Sequence, residues 1–141
     1  MDLLTKDHRS WNMSRIRAKD TAPERIVRSV LHRLGARFRL HSPEILGSPD
    51  IVLRKYRLCI FVHGCFWHRH ARCKYAYTPK SRIRFWQRKF KHNVARDRYV
   101  RKWLRGAGWQ TLVIWECETR NVDRLAEKLR GVLAHSDKIA P

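Results

Sequence analysis

Two apolar runs rich in β-branched and aromatic residues constrain this fold more than any other feature. They are Arg57 to His63 (RLCIFVH) and Trp109 to Trp115 (WQTLVIW), separated by a basic stretch of helical character. Such runs read as strands, and the second as a buried one. An intervening helix allows two strands to lie parallel as neighbours. Upstream, Thr21-Ala-Pro-Glu24 carries the cap, early proline and carboxylate of a capping-box helix start. The helix that follows has Ile26, Val27, Val30, Leu31 and Leu34 on one face, Arg25, Arg28 and Arg33 off it, and Gly35 to end it. Shorter β-type runs cover residues 37–41 and begin again at Ile51, with Lys55-Tyr56 as a hairpin turn. Ser81 opens a helix to about Arg105, and Val122, Leu125, Ala126, Leu129, Val132 and Leu133 have the spacing of another. The expected order is α-β-β-β-α-β-α: an α/β fold with a central mixed sheet flanked by helices. One domain spans residues 1–141, with a basic arm or short helix at 1–19 and the core at 20–135.

Charge narrows the partners. Thirty-two Lys and Arg oppose twelve Asp and Glu, a formal +20. A polyanion relieves the self-repulsion of such an excess. Apolar stretches of about five residues fall far short of the roughly 20 that span a bilayer, so no membrane role is expected. The first residues lack the apolar core of a signal peptide, which points to the cytoplasm. There the four cysteines stay reduced, and metal ligation or burial is expected over disulfides.

The densest chemistry is His63-Gly-Cys-Phe-Trp-His-Arg-His-Ala-Arg-Cys73. Cys65, His70 and Cys73 are spaced so that one loop wraps one zinc ion, and a structural zinc takes four protein ligands. Cys117, just past the second strand, is the candidate fourth. The alternative is three small buried thiols and a surface histidine. Cys59, mid-strand, reads as core. Asp50, after Gly47-Ser-Pro at the rim of a strand, is placed to hold Mg²⁺, which takes oxygen ligands and keeps waters. His63 and His68 supply proton donors or acceptors near neutrality. Glu24 is either an outer carboxylate or only a capping partner, and Asp50 either a ligand or a turn former.

From Lys80 to Arg105 there are eleven Lys and Arg and a single acid, Asp97. A solvated helix face mixes both signs, so this run reads as a phosphate track, with Lys80, Arg82, Arg84, Arg88 and Lys89 as backbone contacts. Most of its aromatics (Phe85, Trp86, Phe90, Tyr99, Trp103) are expected in the core. Trp86, with Phe66 and Trp67 of the Cys/His loop, is placed either to wedge between base pairs or to anchor the loop.

The run FVHGCFWHRH (61–70), Gly47-Ser-Pro-Asp50, Val113-Ile-Trp-Glu-Cys-Glu118, Phe85-Trp86 and Asn93 to Arg98 (NVARDR) resemble the very-short-patch repair endonucleases. The likeness runs from about Asn12 to about Arg120, and HGCFWH is highly specific. The resemblance implies a restriction-endonuclease-like fold and a single-strand nick 5′ to the thymine of a T:G mismatch, the product of 5-methylcytosine deamination. It implies catalytic Mg²⁺ on Asp50 and the Val62 carbonyl, with His63, His68 and Glu24 as catalytic partners. It implies structural Zn²⁺ on Cys65, His70, Cys73 and Cys117, and a duplex-opening wedge of Phe66, Trp67 and Trp86. The protein would act as a monomer on double-stranded DNA, in the cytoplasm at a bacterial-type nucleoid. Val62 stands where the family is associated with Thr, which retains a backbone role and removes a hydroxyl one. The lysine of the broader PD-(D/E)xK pattern is also missing after Asp50. Two other readings stay open: a nuclease on this scaffold without mismatch preference, and a zinc-stabilised DNA-binding module without catalysis.

Overall fold

The computed structural model describes residues 20–139. The arm expected at residues 1–19 lies outside them. The elements follow as α1 (Ala22–Arg33), β1 (Arg39–Leu40), β2 (Ile51–Leu53), β3 (Leu58–His63), α2 (Ile83–Gly106), β4 (Gln110–Trp115) and α3 (Val122–Ile139), with 3₁₀ turns at Arg54–Tyr56 and Glu116–Arg120. This is the order the sequence predicts.

The sheet runs β1-β2-β3-β4, antiparallel across the first two pairs and parallel across the last. Alternation along the strands sends side chains to two cores. Ile51, Leu53, Leu58, Ile60 and Ile114 meet Val27, Val30 and Leu31 of α1 and Leu125, Leu129 and Leu133 of α3. Val52, Cys59 and Phe61 face the other way, against Val100 and Leu104 of α2. Each fully buried Leu, Ile or Val in these layers stabilises the fold by about 1.5–3 kcal/mol.

Thr21 caps α1, accepting from the Glu24 N–H at 3.4 Å. The reciprocal half of the box does not form, because the Glu24 carboxylate accepts from the Asp20 N–H at 3.1 Å and turns toward Arg28. Gly35, at φ +80°, closes the helix with the Ala36 N–H donating to the Leu31 carbonyl at 3.0 Å, a Schellman stop.

Four expectations are corrected. The first strand is two residues, not five, because only Arg39 and Leu40 find partners in β2. Lys55-Tyr56 lies in a 3₁₀ turn that ends on Arg57 at φ 49°, not in a tight hairpin. β4 is half-buried, with Ile114 alone fully enclosed, since it forms the sheet edge. Of the α2 aromatics only Phe90 is buried; Tyr99 and Trp103 are 62% and 50% exposed, because they lie on the face turned from the sheet. Among the described residues no helix is long and apolar enough to cross a membrane.

Candidate active site

The start of β2 lies beside the end of β3, and the loop after β3 returns over α2. Between them opens a cleft of about 380 Å³ lined by Glu24, Asp50, Val62, His63, His68 and Asp97, among others. Gly47 makes room for its rim: it sits at φ +80°, and a Cβ there would lie 2.4 Å from Val100 Cγ1.

Asp50 precedes β2, and its Oδ2 accepts from the Val62 N–H at 2.7 Å. Burial pushes its carboxyl up to about 7, with the nearby Glu24 charge adding to the rise against the Val62 bond and Arg28. Glu24 is itself buried, its Oε2 3.0 Å from an Arg28 Nη and 3.4 Å from His41 Nε2. His41 Nδ1 lies 3.9 Å from Asp50 Oδ1, so an imidazole spans the two acids. Asp50 and Glu24 both line this end of the cleft, with the Arg28 guanidinium on Glu24, and carboxylate oxygens are the donors that Mg²⁺ takes.

His63, the last residue of β3, is buried and stacks on His68, with ring centroids 3.8 Å apart and planes 7° from parallel. Burial, then the His68 charge, drive its imidazole down to about 3. His68 Nδ1 meets Asp97 Oδ2 at 2.7 Å, and His63 Nε2 lies 3.9 Å from Asp97 Oδ1. Burial alone would raise Asp97, but the hydrogen bond and charge of His68 outweigh it and hold the carboxyl low. These three donors lie within 4.8 Å of one another. Stacked rings direct their in-plane lone pairs in parallel, however, which suits proton handling better than chelation. The sequence singles out His63 and His68 but not Asp97; its one signal is being the sole acid on a basic helix. His41, also unsingled, carries no signal beyond a polar residue at the end of a short strand.

A second cluster lies behind this wall. Cys65, His70, Cys73 and Cys117 place their donor atoms within 4.8 Å of one another. His70 Nδ1 is 3.6 Å from Cys65 Sγ and 3.4 Å from Cys117 Sγ. Tetrahedral zinc with thiolate and imidazole ligands sets sulfur and nitrogen about 3.5 Å apart, so these residues fit the ion. The parallel β3–β4 pairing brings Cys117 here: His63 is opposite Trp115, and both chains leave the sheet at the same end. Trp115 then stacks on His70 at 4.2 Å and meets His63 edge-on at 5.4 Å, linking the two clusters.

Phe66, Trp67 and Trp86 are half-buried and together: Phe66 lies 5.0 Å from Trp67 and 5.4 Å from Trp86, edge to face in both pairs. Phe66 and Trp67 also line the cleft. Arg69 ties this loop down, donating to the carbonyls of Phe66, Ala76 and Tyr77 with its guanidinium 4.0 Å over Phe90. Of the bases expected on the DNA backbone, Lys80, Arg84 and Arg88 are exposed, whereas Arg82 and Lys89 are half-buried, Arg82 lying over the Phe85 ring at 4.4 Å.

Known proteins share this chain's pattern. Residues 1–74 match the family model for DNA mismatch endonuclease Vsr. The type II nicking enzyme V.XorIIP of Xanthomonas oryzae is 44% identical over 94% of this chain and 96% of its own. The DNA mismatch endonuclease Vsr of Escherichia coli is 40% identical over 90% of this chain and 81% of its own. Among solved structures, the catalytic domain of the homing endonuclease I-Bth0305I superposes with a TM-score of 0.58 at 20% identity, over 83% of this chain and 98% of that one. That likeness is one of fold and agrees with a restriction-endonuclease-like core. With a family model matching over half its length and relatives alike along most of it, the chain belongs to the DNA mismatch endonuclease Vsr family.

Proposed function

We propose that this protein is a Mg²⁺-dependent nickase that cuts one strand of duplex DNA 5′ to the thymine of a T:G mismatch left by 5-methylcytosine deamination. Its family makes it a strand-nicking DNA endonuclease. The observation that carries the finer reading is the convergence of Asp50, the Val62 main chain and the His63–His68–Asp97 group on one cleft.

Asp50 and the Val62 carbonyl would hold Mg²⁺, with Glu24 in an outer position. In an extended residue the N–H and C=O face one strand edge, and the Val62 N–H already points to Asp50. When bound, the ion supplies charge neutralisation at the phosphoryl oxygens and a polarised water. Asp97 accepts the Nδ1 proton of His68 and leaves its Nε2 as the base. The water oxygen attacks phosphorus, its proton passes to Nε2, and the bond to the 3′ oxygen breaks. That oxygen takes a proton from solvent and leaves as a hydroxyl. His63, kept neutral by burial, contributes a hydrogen bond on the leaving side.

Phe66, Trp67 and Trp86 enter the stack beside the mismatch. Unstacking costs a few kcal/mol per step, and a T:G pair yields more readily than a Watson–Crick pair. Zinc on Cys65, His70, Cys73 and Cys117 fixes the loop that carries the wedge and His68. Lys80, Arg82, Arg84, Arg88 and Lys89 meet the backbone, and one chain in the cytoplasm suffices for one nick.

A strand-resolved cleavage assay with Mg²⁺ on matched and T:G duplexes tests this, with Asp50→Ala as control. A nick 5′ to the mismatched thymine, absent in the control, is expected. Equal cutting of both duplexes would leave a nickase without mismatch preference. Tight binding with no cutting would favour the non-catalytic module.

A further inference from the structure

Arg101 lies four residues after Asp97 on α2, the spacing at which an acid and a base ordinarily pair across one helical turn. Here they do not. The Asp97 carboxylate is taken by His68 at 2.7 Å and faces His63 at 3.9 Å. Arg101 instead donates from Nε to the Asp97 main-chain oxygen at 3.3 Å. That bond anchors the guanidinium and leaves its Nη fork without a partner among the described residues.

The setting makes this fork informative. Among the residues that line the cleft, Arg96 and Arg101 are the permanent cations, and no lysine is present. Arg96 is exposed, whereas Arg101 is half-buried. Its charge reaches both reacting-site groups, adding to shifts in His63 and Asp97 that are governed first by burial and then by His68. A guanidinium anchored at Nε keeps its Nη donors open to the cleft. A planar pair of N–H donors matches two oxygens of a phosphodiester.

We propose that Arg101 is a catalytic residue of the nick, its Nη fork gripping the non-bridging oxygens of the scissile phosphate and stabilising their added charge in the transition state. Arg101 exchanges no proton. The inference rests on the cleft being the nuclease centre. Its helix anchor means the fork needs little reorganisation when charge develops, the condition under which such donors act most strongly.

Single-turnover nicking rates and DNA dissociation constants, measured separately on a T:G duplex, test it. Arg101→Ala is expected to lower the rate constant about 100-fold at saturating DNA while changing Kd less than about threefold. Arg101→Lys, which keeps charge and loses the fork, is expected to recover only part of the rate. A variant rate within about threefold of wild type, or a loss confined to Kd, overturns the proposal. If Arg101→Ala melts early, Arg101→Lys decides: a rate equal to wild type overturns the fork's role. A wild-type protein that cuts no duplex sinks the nuclease reading and this one with it, whereas an active wild type with an equally active Arg101→Ala sinks this one alone.

Discussion

Asp50 carries a stability cost that its proposed role as a metal ligand would explain. Its folded pKa, raised by burial to about 7, exceeds the 3.8 of a free carboxyl. The native state therefore binds more protons than the unfolded chain between these values, and this group's contribution to stability falls as pH rises through that window. Above it the full cost of an ionised, buried carboxylate remains. Asp50→Asn is thus expected to raise the melting temperature of the metal-free protein at pH 8 and change it little at pH 4, while abolishing nicking. Melting curves at the two pH values decide; a lower melting temperature at pH 8 would show that the Val62 bond outweighs the buried charge. Asp97 acts in the opposite sense, as a lowered carboxyl that orients His68. Asp97→Asn is expected to reduce the nicking rate at least about 100-fold, by losing the acceptor that leaves Nε2 as base. Unaltered rates would remove His68 from the base role.

At the level of elements, the site depends on two approaches. The first is the loop after β1 against α2, where Gly47 at φ +80° meets Val100. Gly47→Ala combines a strained backbone with overpacking and is expected to destabilise by about 1–3 kcal/mol, read from denaturant unfolding. A neutral effect would mean that α2 shifts freely, at odds with the packing of Val100 and Leu104 on the sheet. The second is the parallel β3–β4 exit that gathers Cys65, His70, Cys73 and Cys117. About one zinc per chain is expected by elemental analysis, and strong chelation should lower the melting temperature. Finding none would leave the cluster a set of buried thiols.

Across the whole molecule, the formal charge of +20 governs how the protein meets its substrate. DNA affinity is expected to fall steeply with salt, by roughly 10³-fold or more between 50 and 200 mM if six or more phosphates are contacted. A shallow slope in a titration would show that the bases on α2 do not track the backbone. Two permanent cations line the cleft that holds the acids, so most of this charge lies outside it. In the proposed mechanism, charge gathers DNA broadly and the cleft's side chains select the bond that is cut.

The division between chain and fold follows from the range of the forces involved. Element order, the α1 cap and stop and the two main strands were legible in the sequence, because period and turn chemistry act over a few residues. So were Asp50, His63, His68 and the Cys/His loop, which sit close together in the chain and carry distinctive side chains. Asp97 and Arg101 were not, since on a helix with eleven bases from Lys80 to Arg105 nothing local marks which residues face inward. The half-formed capping box, with Glu24 turned toward Arg28, His41 and Asp50, depends on a helix meeting a loop many residues away. Tertiary structure alone decided these, because burial and pairing between distant segments set both the direction of a side chain and the charge it carries.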